Sequence, residues 1–77
     1  MAKLPKLTGK QLGKIVEKAG FIYSHTTGSH MVYNHLDGRR TVVPNHAGEE
    51  IGPGLLNKIM KKDLQMTREQ FIKLIKK

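Results

Sequence analysis

Residues 21–44 read FIYSHTTGSHMVYNHLDGRRTVVP, and this stretch decides the fold. Phe21-Ile22-Tyr23-Ser24 is short, aromatic and β-branched, the composition of a strand, and Thr26-Thr27-Gly28 reads as a turn. Ser29–Asn34 predicts a second strand. Its period of two sets Met31 and Tyr33 on one face and His30, Val32 and Asn34 on the other. Asp37-Gly38 then marks a hairpin turn. Arg39–Val43 predicts the third strand, which Pro44 ends because proline has no N–H for a ladder. Three strands joined by short turns make an antiparallel meander.

Working outward, the flanks are written at helical spacing. Thr8-Gly9-Lys10-Gln11 has the capping-box pattern, in which the threonine hydroxyl and the glutamine side chain each satisfy an orphan backbone N–H. Leu7 and Leu12 fit a hydrophobic staple. Leu12, Ile15, Val16 and Ala19 recur on one helical face and Gly20 supplies a left-handed stop, so the first helix spans about 9–19. Residues 1–7 read as a loose arm. On the other side, residues 45–52 form a polar loop with His46 and Glu49-Glu50. Pro53 suits the first turn of a helix, where its missing N–H costs nothing. Leu55, Leu56, Ile59 and Met60 give that helix an apolar stripe, and Lys58, Lys61 and Lys62 lie on its wet side. A second capping box, Thr67-Arg68-Glu69-Gln70, opens a last helix carrying Phe71, Ile72, Leu74 and Ile75. The expected architecture is α+β: a small three-stranded antiparallel sheet with helices packed on one face, in the order α-β-β-β-α-α. It makes one domain over residues 1–77, with a core at 8–66 and a C-terminal helix at 67–77.

Composition narrows the function. The 77 residues hold no cysteine, so neither a disulfide nor a thiolate nucleophile or zinc ligand is available. No apolar run approaches the roughly 18 residues of a membrane span, and the first residues lack the apolar core of a signal peptide. A cytoplasmic protein is expected. Fourteen Lys and Arg against six Asp and Glu give +8, a field that attracts polyanions. Nucleic acid is the leading partner class, an anionic membrane surface comes second, and solubility alone is the bland reading.

Few motifs for other chemistry are present. The serines are Ser24 and Ser29 only, with no nucleophile elbow, and no phosphate-binding glycine loop occurs. The histidines at 25, 30, 35 and 46 show no metal-ligand spacing, so no metal or cofactor is expected. His30 differs from the rest because it follows Gly28-Ser29 where a turn enters a strand. Histidine, with an unperturbed pKa of about 6.5, takes or gives a proton near neutral pH. RNA supplies its own nucleophile, the 2′-hydroxyl, so cleavage needs only a base, a proton donor and positive charge on the phosphate. The competing reading is a strand histidine hydrogen-bonded to backbone.

The ordered set Gly20-Phe21, Gly28-Ser29-His30, Asp37-Gly38-Arg39, Val43-Pro44-Asn45-His46 and Gly54-x-Leu56-x-x-Ile59 resembles the HicA toxin family of toxin–antitoxin pairs, over roughly residues 9–64. The resemblance implies a compact fold similar to a double-stranded-RNA-binding domain (dsRBD-like) and a metal-independent endoribonuclease that cleaves messenger RNA and arrests growth. It implies that His30 is the catalytic residue, as general base, and that a HicB-type antitoxin neutralises the enzyme by covering the site. Family members often carry Lys or Arg just before the glycine, where this chain has Thr27, and Glu49-Glu50 would repel RNA locally.

The remaining site candidates follow from position. His46 is either a second proton-transfer group or a loop histidine, and Gly28 and Ser29 form the turn that supports His30. Lys10, Lys14, Arg39, Arg40, Lys58 and Lys61 are the candidates for RNA backbone contact. Arg39 and Arg40 alternate, so at most one shares a face with His30. Tyr23 and Tyr33 could stack on bases, but with only four aromatics in the chain both are expected mostly to build the core. The free protein is expected to be a monomer. Two rival functions stay open: a module that grips RNA without cutting it, and an interaction protein whose charge serves solubility.

Overall fold

The computed structural model describes residues 4–76. The first three residues of the expected arm and residue 77 lie outside the described residues. Helix α1 (Gly9–Lys18) is followed by β1 (Ile22–Thr27), β2 (His30–Asn34) and β3 (Arg40–Pro44), then α2 (Pro53–Lys58), a π-helix (Ile59–Asp63) and α3 (Arg68–Ile75). The strands form one antiparallel sheet in the order β1-β2-β3, so the protein is α+β with the element order read from the sequence.

Both capping boxes form. Gln11 N–H donates to Thr8 Oγ1 while Thr8 N–H donates to Gln11 Oε1, and Thr67 and Gln70 repeat the exchange at α3. The α1 stop is a Schellman motif: Gly20, at φ 97°, donates to Glu17, and Phe21 N–H reaches back to the Val16 carbonyl.

Helices α1 and α3 and the α2–π segment meet one face of the sheet through a core that includes Leu12, Val16, Val43, Ile59, Leu64 and Phe71. Each such side chain taken from water contributes about 1.5–3 kcal/mol, which a chain of this size cannot spare. Tyr33 belongs to this core. Tyr23, expected there too, is half exposed because it sits on an edge strand; it meets Tyr33 edge to face at 5.6 Å.

Two further expectations need correcting. The first strand does not stop at Ser24. A bulge there lets β1 run on to Thr27, and the turn shrinks to Gly28-Ser29 between the paired residues Thr27 and His30. Gly28, at φ 59°, is the only one of the two turn residues with a positive φ, as the first position of a type II′ hairpin requires. Second, the stripe Leu55–Met60 does not continue as one α-helix: it widens into the π-helix, with Leu64 N–H donating to the Ile59 carbonyl at 2.8 Å. Gln65 takes the left-handed position after it, at φ 55°.

Candidate active site

Strand pairing builds the site. His30 opens β2 opposite Pro44, the last residue of β3, and Asn45 N–H donates to the Ser29 carbonyl at 2.7 Å. The Gly28-Ser29-His30 turn and Pro44-Asn45-His46 therefore lie side by side. His46 starts a turn closed by Glu49 N–H on its own carbonyl, with Gly48 at φ 75° in the position that a type II turn reserves for glycine. The turn sets His46 Nε2 3.5 Å from Ser29 Oγ.

Helix α1 completes this end of the molecule. A Cβ on Gly9 would collide with the Pro44 carbonyl and the Asn45 Cα, so the first turn of α1 rests directly on the end of β3. Lys10 follows on that turn and is exposed. Thr8 bridges to Glu50, and Ile51 N–H donates to the Leu7 carbonyl, tying the loop after β3 to the same corner. That brings a carboxylate-bearing residue close, as the sequence warned. His30 itself is exposed, on the sheet face opposite the helices. No described residue engages its ring.

The other candidates fall elsewhere. Lys14 is one turn along α1 and Lys58 ends α2, both exposed. Arg40 pairs with Asn34 and so shares the face of His30, but four residues of strand separate the two rows, about 13 Å. Lys61 lies in the π-helix, beside the start of β3 rather than its end. Arg39 is turned to the fold. Its Nε donates to Asp37 Oδ2 at 2.7 Å, its Nη1 donates to the Leu64 carbonyl, and its guanidinium lies 5.2 Å from the centre of the Phe21 ring. Arg39 thus fastens the β2–β3 turn to the end of the π-helix, helped by Thr41 Oγ1 donating to Asp63 Oδ2 at 2.9 Å.

Charge at that far end follows from the same contacts. The Arg39 backbone N–H, with its guanidinium and His35 assisting, holds the Asp37 carboxyl below the usual aspartate range. Burial pushes the Tyr33 hydroxyl up, and the charge of Glu17 adds to it. Among the described residues no group of three or more His, Asp or Glu side chains is gathered to hold a metal ion, and no helix is long and apolar enough to cross a membrane.

One histidine that the sequence reading did not single out stands with His30. His25 was hidden in what looked like the approach to a turn; the bulge puts it on the open face. No spacing rule reveals a bulge of this kind.

A basic α+β domain with an exposed histidine at a hairpin turn, braced by the loop after β3 and the start of α1, defines a class of small helix-backed sheet proteins. The family model described as HicA toxin of bacterial toxin-antitoxin matches residues 9–65, and the chain belongs to that family. It is therefore a toxin of the toxin–antitoxin type, and membership implies an antitoxin partner. No curated protein matches the chain.

Proposed function

We propose that this toxin is a metal-independent endoribonuclease that cleaves messenger RNA in the cytoplasm, with His30 as general base, and that a HicB-type antitoxin neutralises it. The observation that carries this reading is the position of His30. It is exposed at the mouth of a hairpin, with no described partner on its ring, where the turn, the loop after β3 and the lysine-bearing start of α1 converge. An imidazole so placed can take the 2′-hydroxyl proton of a bound nucleotide, and the 2′-oxygen then attacks the adjacent phosphorus.

Gly28 supports the site through the turn itself, since its φ of 59° is one that a side chain rarely adopts. Ser29 supports it by holding Asn45 and His46 alongside. His46 is a second group within reach of a phosphate at this corner. Lys10, on the first turn of α1 next to the Gly9 contact with Pro44 and Asn45, supplies charge for the RNA backbone, with Lys14, Lys58, Lys61 and Arg40 as outlying contacts for a longer strand. An antitoxin that covers this corner blocks the turn, His30, His46 and Lys10 together.

The test is cleavage of a defined RNA in excess chelator by the parent and by His30→Ala. The expected result is cutting by the parent, 2′,3′-cyclic phosphate ends, and a loss of about two to four decades in the variant, the usual cost of removing a general base. Equal cutting by both overturns the site. Equal binding with no cutting by either makes the protein an RNA-binding module.

A further inference from the structure

One extra residue in β1 decides which side of the sheet His25 faces. From the pair Tyr23–Tyr33, an unbroken ladder would set His25 opposite Met31, on the side packed by helices. The bulge at Ser24 shifts the register, so that His25 stands opposite Val32 and Thr27 opposite His30. His25 and His30 therefore share the open face as diagonal neighbours on adjacent strands, a relation that spans about 7–8 Å. Bulges next to active sites re-aim side chains in this way.

The surroundings of His25 suit a proton donor. Ser24 Oγ lies 2.9 Å from His25 Nδ1, which fixes the ring and leaves Nε2 free. Thr27, between the two histidines along β1, is small, and Val32 opposite His25 is only 4 % exposed, so its methyls do not stand in the way of a ligand. The other residues on this face, among them Ile22, Asn34, Arg40 and Val42, include no carboxylate. His46 has the reverse arrangement: its Nε2 is the atom turned to the Ser29 hydroxyl.

We propose, on the reading that His30 is the base, that His25 is the second catalytic residue and gives the proton to the leaving 5′-oxygen. His30 takes the proton of the 2′-hydroxyl, and the 2′-oxygen forms a bond to phosphorus. The bond from phosphorus to the 5′-oxygen breaks, its electron pair stays on that oxygen, and His25 Nε2 protonates it. The products are a 2′,3′-cyclic phosphate and a 5′-hydroxyl. His30 ends protonated and His25 neutral, and exchange with water resets both. Two rings at this separation each reach an oxygen of one phosphate through hydrogen bonds of about 3 Å.

The experiment uses RNA with a single cleavable linkage in two forms, one natural and one with sulfur in place of the bridging 5′-oxygen. A thiolate leaves without needing a proton. The expected result is that His25→Ala loses about two to four decades on the natural linkage and cuts the sulfur-bridged one at nearly the parental rate. His30→Ala stays slow on both. Unchanged thermal midpoints show that both exposed-site variants fold. Three outcomes overturn the proposal: a loss of less than about tenfold in His25→Ala on the natural linkage, an equal loss on both linkages, or rescue by sulfur in His46→Ala instead. If His30→Ala cuts both as fast as the parent, it is the reading of His30 as base that fails, and the role of His25 falls with it.

Discussion

Gly9 and Pro44 touch backbone to backbone: there is no room for even a methyl group between the first turn of α1 and the carbonyl that ends β3. Gly9→Ala must therefore push the helix off the strand that carries Pro44 to its pairing with His30. The expected cost is about 1–3 kcal/mol by urea denaturation, the usual range for overpacking. Gly54→Ala, a substitution into open space within α2, should be neutral or stabilising by up to about 1 kcal/mol. Equal effects of the two substitutions would show that the contact at Gly9 is loose.

Arg39 should behave as a structural residue. Lysine keeps the charge but has no planar fork to reach both Asp37 and the Leu64 carbonyl. Arg39→Lys should lower stability by about 1–3 kcal/mol, the cost of leaving such a partner unsatisfied, while on the proposed function the RNA affinity measured well below the melting transition stays at the parental value. A selective loss of affinity with normal stability would reverse this assignment.

Asp37 gives that clamp a dependence on acid. Its carboxyl is held below the ordinary value near 3.8, so the ionised form is favoured by folding. Its contribution is complete above that value and is lost as pH falls through the lowered one. Asp37→Asn should melt earlier than the parent at neutral pH, and the difference should close on acidification below the ordinary aspartate range. A constant difference across a pH series of melting curves argues against the ionised contact.

Tyr33 acts at the other extreme. Its hydroxyl is raised above the ordinary 10.0, so the folded state holds its proton more firmly than the unfolded chain does. Stability should be intact below that value and decline as pH rises through it. Melting curves above pH 10 should show a steeper loss in the parent than in Tyr33→Phe, and identical slopes would count against it.

Lys10 and Lys61 separate the two ends of the molecule. On the proposed function, Lys10→Ala should weaken RNA binding and reduce the salt slope by about one counterion, because Lys10 sits at the corner of His30. Lys61→Ala should change the slope much less for a short RNA. A larger effect at Lys61 would move the RNA path to the far end of the sheet.

The parts of the fold that the sequence disclosed were those governed by neighbours in the chain. Thr8 with Gln11, Thr67 with Gln70, and Gly20 as a left-handed stop depend on residues within one turn, and each formed as read. The alternation of β2 put Met31 and Tyr33 on one face, and that is the face that packs on the helices, although Val32 on the other is buried too. Where geometry depends on distant partners, local reading stopped short. Thr26 and Thr27 resemble turn residues, yet β2 recruits them into β1. The π-helix gives no periodic sign of itself, and Gln65 occupies a left-handed position where a glycine would have announced the stop. At the candidate site, the place of His30 where a turn enters a strand was legible through Gly28-Ser29. The inward turn of Arg39 needed Leu64, far along the chain, and the exposure of His25 beside His30 needed the bulge.

The bond from Asn45 to the Ser29 carbonyl also bears on timing. The corner holding His30 is assembled from the start of α1, the β1–β2 turn and the loop after β3, so no fragment ending before residue 46 contains it. On the proposed function, a chain emerging from the ribosome remains harmless until its third strand has docked. Synthesis thus leaves an interval in which an antitoxin already present can meet the toxin at the moment it becomes able to cut.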